Sequence, residues 1–260
     1  MIRALTTAAT GLEAQQANIE RISNDLANVN TDGYKRGRSE FQDLMYETTK
    51  EAGGSMGAGS QAPVGIQTGF GVKIGATHKI FEQGPARMTY HPNDLMIEGR
   101  GFFPMQLPNG EIGYTRNGAM HVDVEGRLVN AQGAKLIPEI IIPANATNFV
   151  VTPTGECKVA LPGGEETTIG QLQLINFQNE EGLTAMGDSM YKPSLASGGP
   201  IQGNPGENGV GVIQQNALEG SNVNVANSMV DMIATQRAYE MGTKLMGVAD
   251  KMWEETANIK

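Results

Sequence analysis

A single cysteine, Cys157, is all the thiol chemistry this chain carries. One thiol makes no intrachain disulfide and no thiolate metal cluster, so Cys157 reads as a small side chain packed on a strand. Aromatic residues are scarce at 5%, which argues against one thick core. Basic residues are few as well. The formal charge is −9, and the only dense basic run is Lys35-Arg36-Gly37-Arg38, so a phosphate backbone finds little to grip and no nucleic-acid partner is expected. Long apolar runs are missing too. Nothing approaches the ~18 apolar residues of a membrane span, so no membrane insertion is expected. The opening MIRALTTAATGLEAQQ turns polar too early for a cleaved secretory signal.

Catalytic constellations are equally thin. His78, His91 and His121 stand apart with no pair at metal-ligand spacing. The glycines of GFGVKIG, at 69, 71 and 75, miss the dinucleotide-binding spacing. Asp123-Val124-Glu125-Gly126 lacks the rest of a calcium loop and reads as a hairpin turn. The one enzymatic rival is a periplasmic peptidoglycan hydrolase using two carboxylates such as Glu98 and Glu111, and nothing in the sequence gives them the apolar surroundings that raise a pKa. No enzyme activity, metal or cofactor is expected.

What the chain does have is glycine, 34 residues of it, and two ends unlike its middle. From Ile2 to Val29 there is no proline, and Leu5, Leu12, Ile19 and Leu26 recur every seventh residue. Ala8, Ile22 and Val29 form a second line. Such spacing describes a narrow helical seam. Asn30-Thr31-Asp32-Gly33 should stop this helix. At the other end Ser221-Asn222-Val223-Asn224 offers capping side chains. After it Val225, Met232, Tyr239, Met246 and Trp253 again recur every seventh residue, beside Met229, Ile233, Leu245, Val248 and Met252. Gly242 and Gly247 inside this helix read either as tolerated flaws or as places where a neighbour comes close.

Between the ends the pattern changes. Residues 52–71 are rich in Gly, Ser and Ala and read as an extended connector. Short apolar runs broken by turn signals such as Pro108-Asn109-Gly110 fill residues 94–191, a pattern of β-hairpins. The expected class is α+β, with coiled-coil-like terminal helices flanking a connector and a mostly-β domain. The expected parts are 1–34 with 217–260 as a terminal-helix assembly domain, 35–93 with 196–216 as connector carrying a Gly/Ser-rich insert at 47–68, and 94–195 as the β-domain. Two long amphipathic helices with no third element to cover them ask for partners, and identical copies supply them in a helical polymer.

ISNDLANVNTDGYKR, residues 22–36, resembles the signature of the flagellar basal-body rod and hook family, with Asn24, Asn28, Asn30, Gly33, Tyr34 and Lys35 in place. EGSNVNVANSMVDMIATQRAYE resembles the family's C-terminal motif, with Asn222, Asn224, Gln236 and Arg237 in register. RGRSEFQDLMYET and QTGFGVKIGAT are similar to its distal-rod branch, and IEGRGFFPMQLPNGEIGYTRNGAMHVDVEGRLVNAQG to its shared β-domain. The likeness runs along essentially the whole chain. Pro104 departs from the pattern and hints at an edge strand. The resemblance implies a structural subunit of the distal rod, exported without a cleaved signal by the flagellar type III apparatus. It implies a hollow, torque-transmitting axial tube spanning the periplasm, with itself, proximal rod proteins, the hook protein and the periplasmic and outer-membrane ring proteins as partners. Another axial protein, of the proximal rod or hook, is the alternative. The residues expected at the self-assembly interface are Leu5, Leu12, Ile19, Ile22, Leu26, Val29, Val225, Met229, Met232, Ile233, Tyr239 and Met246.

Overall fold

The computed structural model describes residues 2–51, 63–162, 166–207 and 209–258. They form two compact units, each drawn from separated stretches of chain. One comprises Met1–Leu26, Gly37–His78 and Val225–Lys260, and the other Ala27–Arg36 and Lys79–Asn224. The class is α+β: a helix at each end and strands between.

In the first unit α1 (Ile2–Ala27) and α2 (Val225–Asn258) are 26 and 34 residues long, about 39 and 51 Å at the usual rise of ~1.5 Å per residue. Neither contains proline. They pack side by side and antiparallel. Asn18 Nδ2 donates to Thr235 Oγ1 at 3.3 Å, while seven residues further along α2 a Cβ on Gly242 would lie 2.7 Å from Leu12 Cδ2. Gly242 is thus where a neighbouring side chain comes close. A Cβ on Gly247 would meet nothing within 4 Å. Ala14 and Ile22 are buried, and Asp25 accepts from Arg21 Nη1 and from the Gly37 N–H, both at 2.9 Å.

The same unit carries a long antiparallel ribbon. β1 (Gly37–Asp43) pairs with β4 (Val72–Lys79), and β2 (Tyr46–Lys50) with β3 (Ile66–Gly69). The Leu44 N–H donates to Gly71 O at 2.8 Å and the Phe70 N–H to Met45 O at 3.2 Å, which carries the pairing from one strand pair into the next. Much of the stretch expected to be a connector is therefore ladder. Residues 52–62, the middle of the Gly/Ser-rich insert, lie outside the described residues.

The second unit is β-rich. Its strands are β5 (Ala86–Met88), β6 (Leu95–Glu98), β7 (Phe103–Gln106), β8 (Ile112–Thr115), β9 (His121–Val122), β10 (Leu128–Val129), β11 (Lys135–Leu136), β12 (Asn148–Val151) and β13 (Glu156–Ala160), followed by β14 (Glu166–Gln171), β15 (Leu174–Asn176), β16 (Thr184–Gly187), β17 (Met190–Lys192), β18 (Ile201–Gly203), β19 (Val212–Gln215) and β20 (Ala217–Glu219). The largest sheet runs β16-β17-β8-β7-β11-β10-β9, and a second runs β12-β13-β14. Period-two alternation turns Phe149, Val151, Cys157 and Val159 inward, where they join Leu95, Ile97, Phe103, Met105, Leu136 and Leu174 in one core. A smaller aromatic cluster gathers Phe102, Tyr114, Phe177 and Tyr191 edge to face. The outer edge of β12 is closed by one side chain: Gln215 accepts from the Val151 N–H at 3.0 Å and donates to Phe149 O at 2.9 Å.

Two expectations change here. Pro104 does not mark an edge, because β7 lies between β8 and β11. Its carbonyl accepts from the Ile137 N–H at 2.9 Å, one step beyond the last β7–β11 pair, Leu136↔Met105. Its missing N–H faces the end of a very short strand, so no ladder bond is lost there. The Gly/Pro-rich stretch 196–216 is not a free connector. Within it β18 pairs with β15 and β19 pairs with β6, so it belongs to the β-rich unit.

Candidate assembly interface

α2 carries apolar side chains on two opposed faces. Met232, Tyr239 and Met246 are half-buried and Thr235 is buried, on the side that holds Gly242 and meets α1. Val230, Met241, Leu245, Val248 and Met252 are 65, 60, 66, 55 and 51% exposed. At about 100° per residue these five fall within roughly 60° of the helical wheel, away from α1. Ile233 borders that stripe and Met229 lies between it and the α1-facing side, and both are more than half exposed. A monomer leaves this face in water, and each large side chain there, still more than half exposed, carries roughly 1–2 kcal/mol of unrealised burial.

The residues expected at an assembly seam divide between these faces. Ile22 is the only one of them fully buried within its unit. Leu5, Leu12, Ile19, Leu26, Met232, Tyr239 and Met246 are half-buried. Val225, Met229 and Ile233 are exposed. Val29, half-buried, belongs to the β-rich unit. Val230 and Met241 complete the exposed stripe and escaped the sequence reading. They are eleven apart, and Arg237 interrupts their line, so no seven-residue repeat reveals them.

The motif residues perform another task. In the β-rich unit Lys35 is wholly buried, and its Nζ donates to Glu219 Oε1 at 2.5 Å and to Glu82 O at 2.7 Å. Arg116 Nη1 reaches the other carboxylate oxygen of Glu219 at 3.4 Å and Gly99 O at 2.8 Å. The Gly84 N–H donates to Glu219 Oε1 at 2.9 Å, and the Gly33 N–H to Glu219 O at 2.7 Å. Asn222 accepts from the Arg36 N–H at 2.7 Å and donates to Ile80 O at 2.9 Å. Gly33 holds φ 71°, and a Cβ there would press to 2.6 Å on Asn117 N, so this turn requires glycine. Lys79 Nζ reaches Tyr34 Oη at 2.9 Å. Asn28 Oδ1 accepts from Thr31 Oγ1 at 3.2 Å, while Asn24, Asn30, Asn224, Gln236 and Arg237 are exposed.

This clasp ties the residues just after α1 to those just before α2, onto the β-rich core. Burial holds the Lys35 amine below the ordinary lysine range, against the opposing pull of Glu219. Glu219 and Arg116 were not foreseen, since a pair 184 residues apart leaves no trace in local spacing. Lys35 and Arg36 are therefore no surface patch: the first is buried, and the second pairs with Glu82 at 3.2 Å.

The carboxylates of the hydrolase reading look different. Glu98 lies exposed on β6. Glu111 accepts from Lys192 Nζ at 2.9 Å, and this contact lowers its pKa, opposite to what a general acid needs. Among the described residues no three His, Cys, Asp or Glu side chains gather as metal ligands.

Comparison with known proteins sets the class first. Family models match residues 5–35 as "Flagella basal body rod protein", residues 96–159 as "Flagellar hook protein FlgE/F/G D1 domain" and residues 214–259 as "Flagellar basal body rod FlgEFG protein C-terminal". Lys35, Arg116 and Glu219 fall one in each matched region. Flagellar basal-body rod protein FlgG of Buchnera aphidicola (subsp. Acyrthosiphon pisum) is 45% identical over 260 residues, covering 100% of both chains. The same-named proteins of Caulobacter vibrioides and Bacillus subtilis are 44 and 32% identical, again over 100% of both chains. The chain belongs to the flagellar basal-body rod protein FlgG family, a structural component of the flagellar basal body.

Proposed function

We propose that this chain is the distal-rod subunit, polymerising through its terminal helices into a hollow axial tube that passes torque from motor to hook. The observation that carries the reading is the two-faced α2. One apolar face is occupied by α1 of the same chain, and the other, through Val230, Met241, Leu245, Val248 and Met252, is left to water. Exposed stripes of this kind are covered by partners. A non-closing contact between identical copies repeats that burial at every subunit. In this reading the terminal helices α1 and α2 are the assembly part, with Leu5, Leu12, Ile19, Ile22 and Leu26 backing the seam from α1, whereas residues 28–34 and 217–224, expected to belong with them, are part of the β-rich unit. Periplasmic and outer-membrane ring proteins surround the tube, and its ends meet proximal rod proteins and the hook protein. Export through the flagellar type III apparatus and a mechanical, non-catalytic role belong to the same reading.

Leu245→Asp tests it. Leu26 is half-buried within its own unit, so a charge there mixes folding with assembly, whereas Leu245 is 66% exposed. The variant should fold with unchanged helical circular dichroism and stay monomeric, where the parent chain gives straight tubes by electron microscopy. Normal tubes from Leu245→Asp would refute the reading.

A further inference from the structure

α2 holds five methionines in 34 residues, Met229, Met232, Met241, Met246 and Met252. Met229, Met241 and Met252 are 51, 60 and 51% exposed, whereas Met96, Met105, Met120 and Met190 of the β-rich core are at most 4% exposed. Two of the five residues of the exposed stripe, Met241 and Met252, are thus thioethers, Met229 adds a third exposed one near the start of the helix, and outside the helix Met45, Met88 and Met186 are exposed as well. A thioether packs as well as leucine in a dry seam, but it is also the side chain that a peroxide converts to a polar one.

We propose that Met229, Met241 and Met252 form a redox-sensitive modification site that switches the assembly face off in the free subunit and is shielded once the face is covered. The proposal rests on the assembly reading above. The reaction is a two-electron oxygen transfer. A sulfur lone pair attacks one oxygen of hydrogen peroxide, the O–O bond breaks as the S–O bond forms, and the proton on the transferred oxygen passes to the departing hydroxide. The products are a sulfoxide and water. Each sulfoxide places a strong hydrogen-bond acceptor where a neighbouring helix would offer only carbon, and an acceptor buried without a donor opposes association. In water the same oxygen is solvated, so the fold of the free subunit is unaffected. Methionine sulfoxide reductases acting on both epimers reverse the change.

The test uses the full chain in three forms: untreated, treated with hydrogen peroxide, and treated and then repaired by the two reductases. The critical concentration for polymerisation is read by light scattering, and each methionine by peptide mass spectrometry. Full oxidation at the three positions should raise the critical concentration at least tenfold, repair should restore it, and preformed polymer should resist oxidation there. Met229→Leu/Met241→Leu/Met252→Leu should polymerise before and after peroxide alike. If that variant polymerises poorly on its own, the repair arm decides: recovery that tracks loss of sulfoxide at these three sites supports the switch. An unchanged critical concentration with the three sites oxidised overturns the proposal and leaves the assembly reading standing. So does a peroxide effect that persists in the triple variant. Failure of untreated protein to polymerise, or normal polymerisation of Leu245→Asp, would instead strike the assembly reading itself.

Discussion

Replacing Glu219 by Gln removes the single negative charge that two buried cations share. Lys35 and Glu219 have no exposed side-chain surface, and Arg116 has 1%. Breaking a buried pair from one side costs about 3–5 kcal/mol, because the remaining charge is left uncompensated. The lysine also sets a ceiling. Its amine can shed its proton, and starting from the ordinary value of 10.5 that escape costs about 5 kcal/mol at pH 7, at 1.36 kcal/mol per pH unit. At pH 9 the same escape costs only about 2 kcal/mol. Arg116 cannot deprotonate, but it keeps Gly99 O at 2.8 Å. The penalty of Glu219→Gln should therefore lie near 3–5 kcal/mol at pH 7 and be smaller at pH 9, where the part that persists is the Arg116 charge, which has no such escape. Urea denaturation at both pH values measures it, with hydrogen exchange over residues 27–36 and 217–224 locating the loss. Lys35→Met/Glu219→Gln should recover part of the stability, since it removes one of the two orphaned charges and leaves only that of Arg116. A penalty under about 1 kcal/mol at pH 7, or one that does not shrink by pH 9, would refute the reasoning.

Lys35 itself gives a sign that can be checked. Its folded value lies below 10.5, so between the two values the unfolded chain holds more protons and stability from this group rises with pH. That contribution vanishes in Lys35→Met, and denaturation midpoints of the two proteins from pH 7 to 10 should diverge accordingly. Cys157 acts in the opposite direction: burial pushes its thiol from 9.0 up to about 12. The unfolded chain then loses its proton first, and stability falls as pH rises above 9, by about 3 kcal/mol at pH 11. Cys157→Ala should flatten that fall in alkaline urea titrations, leaving the part due to Tyr191, which is likewise raised to about 12. Gly247→Ala, with open space around its Cβ, should stabilise α2 by about 0.5–1 kcal/mol. Gly242→Ala should gain less or lose, because Leu12 must move. Equal thermal shifts for the two would show that α1 and α2 are not packed as described.

Much of the architecture was legible because it is written in local spacing. Two proline-free segments with seven-residue repeats gave the helices, and Asn30-Thr31-Asp32-Gly33 lies in the turn that follows α1. Pro108-Asn109-Gly110 and Asp123-Val124-Glu125-Gly126 are hairpin turns, with the Gly110 N–H donating to Leu107 O and the Gly126 N–H to Asp123 O, both at 2.9 Å. What spacing cannot show is which apolar line meets which neighbour. On α2 the seven-residue line of Met232, Tyr239 and Met246 is spent inside the subunit, and the stripe left over is the less regular one. Stretch 196–216 misled for a similar reason. Its glycines and prolines are turn signals, yet the run Val212–Gln215 that follows them fills a ladder against Leu95–Glu98, a pairing that no local pattern encodes.

The clasp shows why the motif and the seam are different problems. Gly33, Tyr34, Lys35 and Asn222 looked like the tail of one helix and the cap of another, and a helix end needs only a polar turn there. A lysine with no exposed surface needs much more: a carboxylate, a carbonyl and a closed wall of chain around it. Glu219 supplies the first and Glu82 the second, and the third is shown by the side chain's complete burial. A plain polar turn would tolerate Lys35→Arg, since both residues are charged and long. The clasp would not, because a guanidinium cannot fit the volume of an ammonium held at 2.5 Å from its partner and cannot shed its proton to relieve the strain. Lys35→Arg should therefore destabilise the β-rich unit by at least about 2 kcal/mol, while Arg36→Lys, at an exposed pair with Glu82, should change it by less than about 0.5 kcal/mol. Urea titration of both variants separates the two ideas, and equal stabilities would mean that Lys35 is only part of a turn.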